Sequence, residues 1–191
     1  MVHTQSKRAE MGVGTLIIFI ALLLVAAVAA GVLIQTSGSL QQQALSTGTQ
    51  ATGQISTNAA VVEVSAENGT DGSFEQFFVV MRLAPGSDAI RLTDVTYTVS
   101  TVNTSQNLQY TDNVSNANQT HFGVRYLQQG DNHQEGVLVR GDVIEITFNS
   151  SRLISESETV RLNFIPRIGT ATLTQFAVPD VVSTQRVYLY P

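Results

Sequence analysis

Gly12-Val13-Gly14-Thr15-Leu16-Ile17-Ile18-Phe19-Ile20-Ala21, continued as LLLVAAVAAGVLI to Ile34, decides how the rest of the chain is read. Residues 15–34 are twenty in a row without a charge or a proline, and with a single glycine. At 1.5 Å per residue a helix of that length is about 30 Å long, enough to cross the hydrocarbon core of a bilayer. The charge-free stretch continues far past that limit, because no Asp, Glu, Lys, Arg or His occurs from Met11 to Val62. A simple anchor has no need of this second, polar half. Something other than lipid must bury it.

The polar half has its own periodicity. Leu33, Leu40, Ala44, Ala51, Ile55 and Val62 are spaced 7, 4, 7, 4 and 7. Eleven residues in three turns is about 3.67 per turn, which keeps one narrow apolar stripe on one face of a nearly straight helix. The other faces carry Gln35, Gln41, Gln42, Gln43, Gln50 and Gln54 among many Ser and Thr. Ser, Thr and Gly lower helix propensity, so this half needs neighbours to be stable. The expected helix covers residues 10–59, with its charge-free part about 70 Å long. Ala26 with Ala30 and Ala27 with Gly31 form small-xxx-small pairs, which let helix backbones approach closely. Alanine and glycine are also simply common in membrane helices. Taken with the long uncharged extension, packing in a multi-chain bundle is the more economical account.

Two processing schemes compete at the N-terminus. In ordinary secretion, Lys7 and Arg8 precede an apolar h-region and Ala27-Val28-Ala29 supplies the cleavage site. In the other scheme the cut falls after Ala9, and the helix stays on the mature protein. Glu10 between the basic pair and the apolar run, and the unbroken apolar pattern through Ile34, weaken the first scheme.

From Val61 the pattern changes to period two. Strands are expected over 60–65, 74–83, 95–102, 122–127, 142–148, 159–165, 171–177 and 186–190. Turn signals separate them at 68–72, 85–88, 129–132 and 140–142. Short strands with no helical interludes predict an antiparallel, immunoglobulin-like β-sandwich over 60–191, so the fold class is α+β. The polar stretch 103–120 is expected to be an exposed loop or a loosely held hairpin.

The composition excludes much chemistry. Cysteine is absent, which removes disulfides, thiol catalysis and thiolate metal sites. Beyond Val62 there are eight arginines and fourteen acidic residues, a net of −6 that argues against a nucleic-acid partner. His121 and His133 are expected as solvated loop residues, and Glu156 and Glu158 as surface charges rather than an acid/base pair. Asp112, Asn113 and Asn116, like Asp131 and Asn132, lack calcium-loop spacing and are expected to form turns. No catalytic motif, metal or cofactor site is expected. Five N-x-S/T sequons occur, at Asn68, Asn103, Asn113, Asn118 and Asn149.

The run from Lys7 to Ala21, KRAEMGVGTLIIFIA, continued as LLLVAAVAAGVLIQTSGSLQQQA, resembles the N-terminus of archaeal flagellins (archaellins), within the type IV pilin-like superfamily. The likeness covers about 40 residues. It implies a class III leader over 1–9, held on the cytoplasmic side by Lys7 and Arg8 and cut between Ala9 and Glu10 by a prepilin-type peptidase. Ala9 stands where the family usually has glycine. The likeness further implies a transient single-span membrane precursor, extracted by a membrane assembly motor into an extracellular filament used for swimming. That filament is a homo-oligomer to which other flagellin subunits can be added. The residues expected to pack its core are Gly12, Gly14, Phe19, Ala26, Ala27, Ala30, Gly31, Leu33, Leu40, Ala44, Ala51 and Ile55. The β-sandwich would form the outer sheath, with N-glycans on the sequons. Two alternatives stand beside this reading: an adhesive archaeal type IV pilin, and a membrane-tethered or secreted β-sandwich binding module.

Overall fold

The computed structural model describes residues 3–68, 73–180 and 185–191. The expected turn at 68–72 and the side chains of Lys7, Arg8, Ala9, Glu10 and Asn68 lie outside the described residues. The chain divides into two compact units, Met1–Gln50 and Ala51–Pro191.

The first unit belongs to a single helix, α1 (His3–Ser56), whose last six residues fall in the second unit. The absence of proline and the Ala- and Leu-rich composition of 16–34 favour it throughout. The helix ends at Ser56, short of the expected Ala59, and the reason is local. After Thr57 N donates to Gly53 O at 3.0 Å, the backbone at Thr57 and Asn58 turns to partners in the β-domain. Asn58 N donates to Ser87 Oγ at 2.9 Å, Ala84 N donates to Asn58 O at 2.9 Å, and Thr170 N donates to Thr57 O at 2.9 Å. The Ser87 hydroxyl also lies 2.9 and 3.2 Å from the carbonyl oxygens of Asn58 and Ser56, and is buried there. Val62, the last member of the predicted stripe, therefore sits in a strand and not on the helix.

The second unit carries β1 (Ala59–Asn68), β2 (Phe74–Leu83), β3 (Ile90–Arg91), β4 (Val95–Ser100), β5 (Ser105–Thr111), β6 (His121–Gln128), β7 (Val137–Leu138), β8 (Val143–Ile154), β9 (Thr159–Pro166), β10 (Thr172–Ala177) and β11 (Arg186–Tyr190). Nine of them hydrogen-bond in the order β10-β9-β4-β5-β6-β8-β2-β1-β11, and β3 pairs with β7. The long sheet folds over so that its two halves face each other. Phe77, Val79, Met81, Ile144, Ile146 and Phe148 from one layer meet Val95, Tyr97, Val99, Val160, Leu162 and Phe164 from the other, all buried. Alternation of buried and exposed residues along β4 and β9 puts every second side chain inward. Tyr97 lies at the centre, with ring centroids 5.5 Å from Phe148 and 6.0 Å from Phe122.

Two expectations are corrected. The sandwich is antiparallel except between β5 and β6, which run parallel and join the two layers. The stretch 103–120 also does more than form a loop. It contains β5, a central strand that buries Leu108 completely. The return from Thr111 to His121 is short because only three residue pairs overlap, Gln109 with His121 through Thr111 with Gly123. The returning chain packs directly on β6, where a Cβ on Gly123 would lie 2.5 Å from the Val114 Cα.

Candidate functional site: an exposed apolar helix

The large apolar side chains of α1 are exposed among the described residues. Phe19 is 59% exposed, Leu33 69%, Leu40 60% and Ile55 80%. Met11–Ser56 is long and apolar enough to cross a membrane, and none of its most apolar window is buried. From Leu16 to Val32 large exposed hydrophobics occur on every side of the helix. A helix apolar all round is stable only when surrounded, by protein or by lipid.

The predicted core residues divide by face. At about 100° per residue, Gly12, Phe19, Ala26, Ala30, Leu33, Leu40, Ala44, Ala51 and Ile55 fall within an arc of roughly 80°. The stripe read from 33 to 55 thus continues back through the apolar half. Ala27 and Gly31 lie about 100° and 140° from the centre of that arc, and Gly14 about 120° to the other side. Space is open at Gly12, Gly14 and Gly31, where an added Cβ would meet nothing within 4 Å. Two hydroxyls in and just beyond the apolar half are already satisfied: Thr15 Oγ1 donates to Gly12 O at 2.9 Å and Thr36 Oγ1 to Val32 O at 2.8 Å. Such back-bonding lowers the cost of burying them.

The sequons differ in setting. Asn103, Asn113 and Asn118 are exposed, at turns beside β5 and β6. Asn149 is half-buried inside β8, opposite Gln76 of β2, and its Oδ1 is buried without a partner.

The charged groups of the β-domain are mostly tied into its framework. Glu145 is buried on β8, 2.7 Å from Arg125 Nη2 and 3.5 Å from Arg186 Nη2, and Arg186 also lies over the Phe78 ring at 4.4 Å. Asp142 is buried and accepts from Gly130 N at 2.7 Å. Its other oxygen lies 3.4 Å from His133 Nδ1, whose ring packs edge-on to Tyr126. His133 is therefore a partly buried loop pin, which corrects the expectation of a solvated residue. Glu158, expected at the surface, is largely buried against Arg152. Asn113 does form the expected turn, its Oδ1 accepting from Ser115 N at 2.9 Å. Among the described residues no cluster of His, Asp and Glu is placed to hold a metal ion.

Sequence reasoning did not single out the cradle under the helix end, Ser87, Gly169, Thr170 and Thr172. Thr172 Oγ1 donates to Ala59 O at 2.6 Å or Asn58 Oδ1 at 3.0 Å. The 85–88 turn was legible as a turn. Nothing in Ile168-Gly169-Thr170 marks it as a partner of residues a hundred positions earlier.

The family model for archaeal-type flagellin matches residues 9–176, which is most of the chain and includes both the helix and the β-domain. The chain belongs to the archaeal-type flagellin family. It is 32% identical to Flagellin A1 of Haloferax volcanii over 197 residues, covering 93% of this chain and 92% of that one. It is also 32% identical to Flagellin B2 of Methanocaldococcus jannaschii over 209 residues, covering 96% and 95%. The fold is shared with the archaeal flagellum of Methanospirillum hungatei strain JF1, at TM-score 0.71 and 16% identity over 94% of this chain and 99% of that one. It is shared as well with a crystal structure of flagellin FlaB1 from Methanocaldococcus jannaschii, at TM-score 0.66 and 19% identity over 70% and 97%. As a flagellin, the chain is a structural subunit of the archaeal flagellum and not an enzyme. The adhesive-pilin and tethered-module alternatives are not favoured.

Proposed function

We propose that this flagellin builds the extracellular filament by burying α1 among the α1 helices of neighbouring copies. The precursor waits in the membrane as a single span. A prepilin-type peptidase then cuts between Ala9 and Glu10, and a membrane motor moves the subunit into the growing helical polymer. The observation that carries this reading is the helix itself: from Met11 it is free of charge to the end of α1, and from Leu16 to Val32 its large hydrophobics are exposed on all sides. Its nine-residue stripe supplies one packing face, while Ala27 and Gly31 supply a second for close backbone approach. Two faces suit a helix with several neighbours. The polar residues of 35–56 exchange water for hydrogen bonds between helices, which tolerates burial where a charge would not. The β-domain forms the outer sheath, and exposed sequons on it serve as N-glycan acceptors.

The absence of cysteine makes a direct test possible. Leu40→Cys and Ala51→Cys are expected to resist a maleimide probe in intact filaments and to react after disassembly, with Thr96→Cys on the β-domain surface as the reactive control. Equal labelling of Leu40→Cys before and after disassembly would contradict burial of the stripe.

A further inference from the structure

The four sequons among the described residues, at Asn103, Asn113, Asn118 and Asn149, are equivalent in sequence but not in the fold. In β8, Asn149 pairs with Gln76 of β2, and its N–H points to Asn118 O at 3.4 Å. The side chain of Gln106, from β5, spans the same segment. Gln106 Nε2 donates to Asn149 O at 3.0 Å, and Ser151 N donates to Gln106 Oε1 at 2.6 Å. That carboxamide replaces a strand neighbour along the whole Asn149-Ser150-Ser151 acceptor segment. Ser150, between them, is buried.

At Asn118 the arrangement is the reverse. Its Oδ1 accepts from Thr120 N at 2.8 Å, Thr120 Oγ1 at 2.9 Å and His121 N at 2.8 Å, in an exposed turn. Asn113 Oδ1 likewise accepts from Ser115 N within its own exposed sequon. In both, the acceptor oxygen is held inside the turn, so the amide nitrogen is left to face outward.

We propose that the fold selects among the sequons: Asn103, Asn113 and Asn118 accept a glycan on the folded domain, and Gln106 shuts Asn149. The inference rests on the reading of the sequons as N-glycan acceptors. The reaction transfers a glycosyl group from a glycosyl phosphate donor held by a transferase. A bond forms between the asparagine Nδ2 and the anomeric carbon, the anomeric C–O bond breaks, and the phosphate leaves with the electron pair. Nδ2 gives its proton to a base of the transferase. A transferase can take an exposed turn into its cleft as it stands. To take residues 149–151 it must first strip Gln106 and the β2 pairing from β8, breaking the sheet near its centre.

Mass spectrometry of full-length subunits from native filaments tests this site by site. Glycan is expected on Asn103, Asn113 and Asn118 of the wild type, with Asn149 bare. In Gln106→Ala, occupancy at Asn149 is expected to rise roughly tenfold from background, because two hydrogen bonds that hold the segment are gone. Should that variant fail to fold, Asn149→Gln is expected to leave the glycoform mass pattern unchanged, whereas Asn118→Gln loses one glycan. Occupancy of Asn149 equal to that of Asn118 in the wild type would overturn the selection while leaving the glycan reading intact, and so would an unchanged bare Asn149 in a folded Gln106→Ala. Wild-type subunits without glycan at any sequon would overturn both.

Discussion

Gly169 faces the carbonyl of Thr57 across the junction between helix and sheet: with φ at +119°, a Cβ at this position would stand 2.5 Å from that oxygen. The contact sets how closely the 168–172 loop approaches the last turn of α1. Gly169→Val combines a left-handed backbone with a collision against main chain, and is expected to destabilise the second unit by about 3 kcal/mol. In a thermal melt of detergent-dispersed subunits the midpoint should fall by roughly 10 °C. An unchanged midpoint would mean that the junction has slack.

The second face of α1 makes a separate prediction. Ala27→Leu and Gly31→Leu enlarge small positions that meet nothing within the subunit, so β-domain folding should be unaffected. Filament formation should be lost, because the backbones can no longer approach. Normal filament yield from both variants, with wild-type circular dichroism, would argue that close packing does not occur there.

A charge on the stripe probes the polar half. Leu40→Asp or Ala51→Asp places a carboxylate where the polymer offers no counter-charge, since the described helix from Met11 onward has no cationic side chain. Burying it unpaired costs several kcal/mol, and assembled filament should fall more than tenfold. Sedimentation of sheared filaments measures the yield. Wild-type yield and heat resistance would place position 40 or 51 in water.

The tyrosines predict the alkaline limit of the β-domain. Burial, followed by the neighbouring Asp112 carboxylate, pushes Tyr110 up to about 12 from its ordinary 10. Burial alone raises Tyr97 further, and burial also raises Tyr126 despite the opposing effect of main-chain hydrogen bonding at Gly136 and Val137. With folded values above the unfolded one, the native state holds these protons longer. Stability is therefore whole below pH 10 and declines as pH rises through 10 toward 12. Denaturant melts at pH 8, 10 and 11.5 should show this order, with Tyr97→Phe losing less at high pH than the wild type. A flat profile would contradict it.

Much of this was legible in the sequence, and the exceptions share a cause. The apolar run, the change to period two at Val61 and the strands over 74–83 and 186–190 follow from local pattern, because burial on one face writes itself into spacing. Strand β5 escaped notice because only Leu108 and Tyr110 interrupt its polar residues, and its place at the centre of the sheet depends on a parallel partner that no turn signal announces. The helix end was read too far along for a related reason. The charge-free pattern runs on to Val62, but Ser87, Thr170 and Ala84 take over the backbone at Thr57 and Asn58 from distant parts of the chain. At the candidate site the stripe was visible, whereas the difference between Asn118 and Asn149 was not. It arises from Gln106, forty-odd residues away from the segment it covers.

The retention of α1 is the point on which the filament account depends, and the N-terminal sequence and mass of subunits sheared from the cell exterior test it most directly. The account predicts a start at Glu10, with residues 12–34 present and, because Lys7 is the single lysine, no lysine left in the mature chain. A start at Ala30 would contradict it, since most of the apolar run would then have been discarded as an ordinary secretion signal.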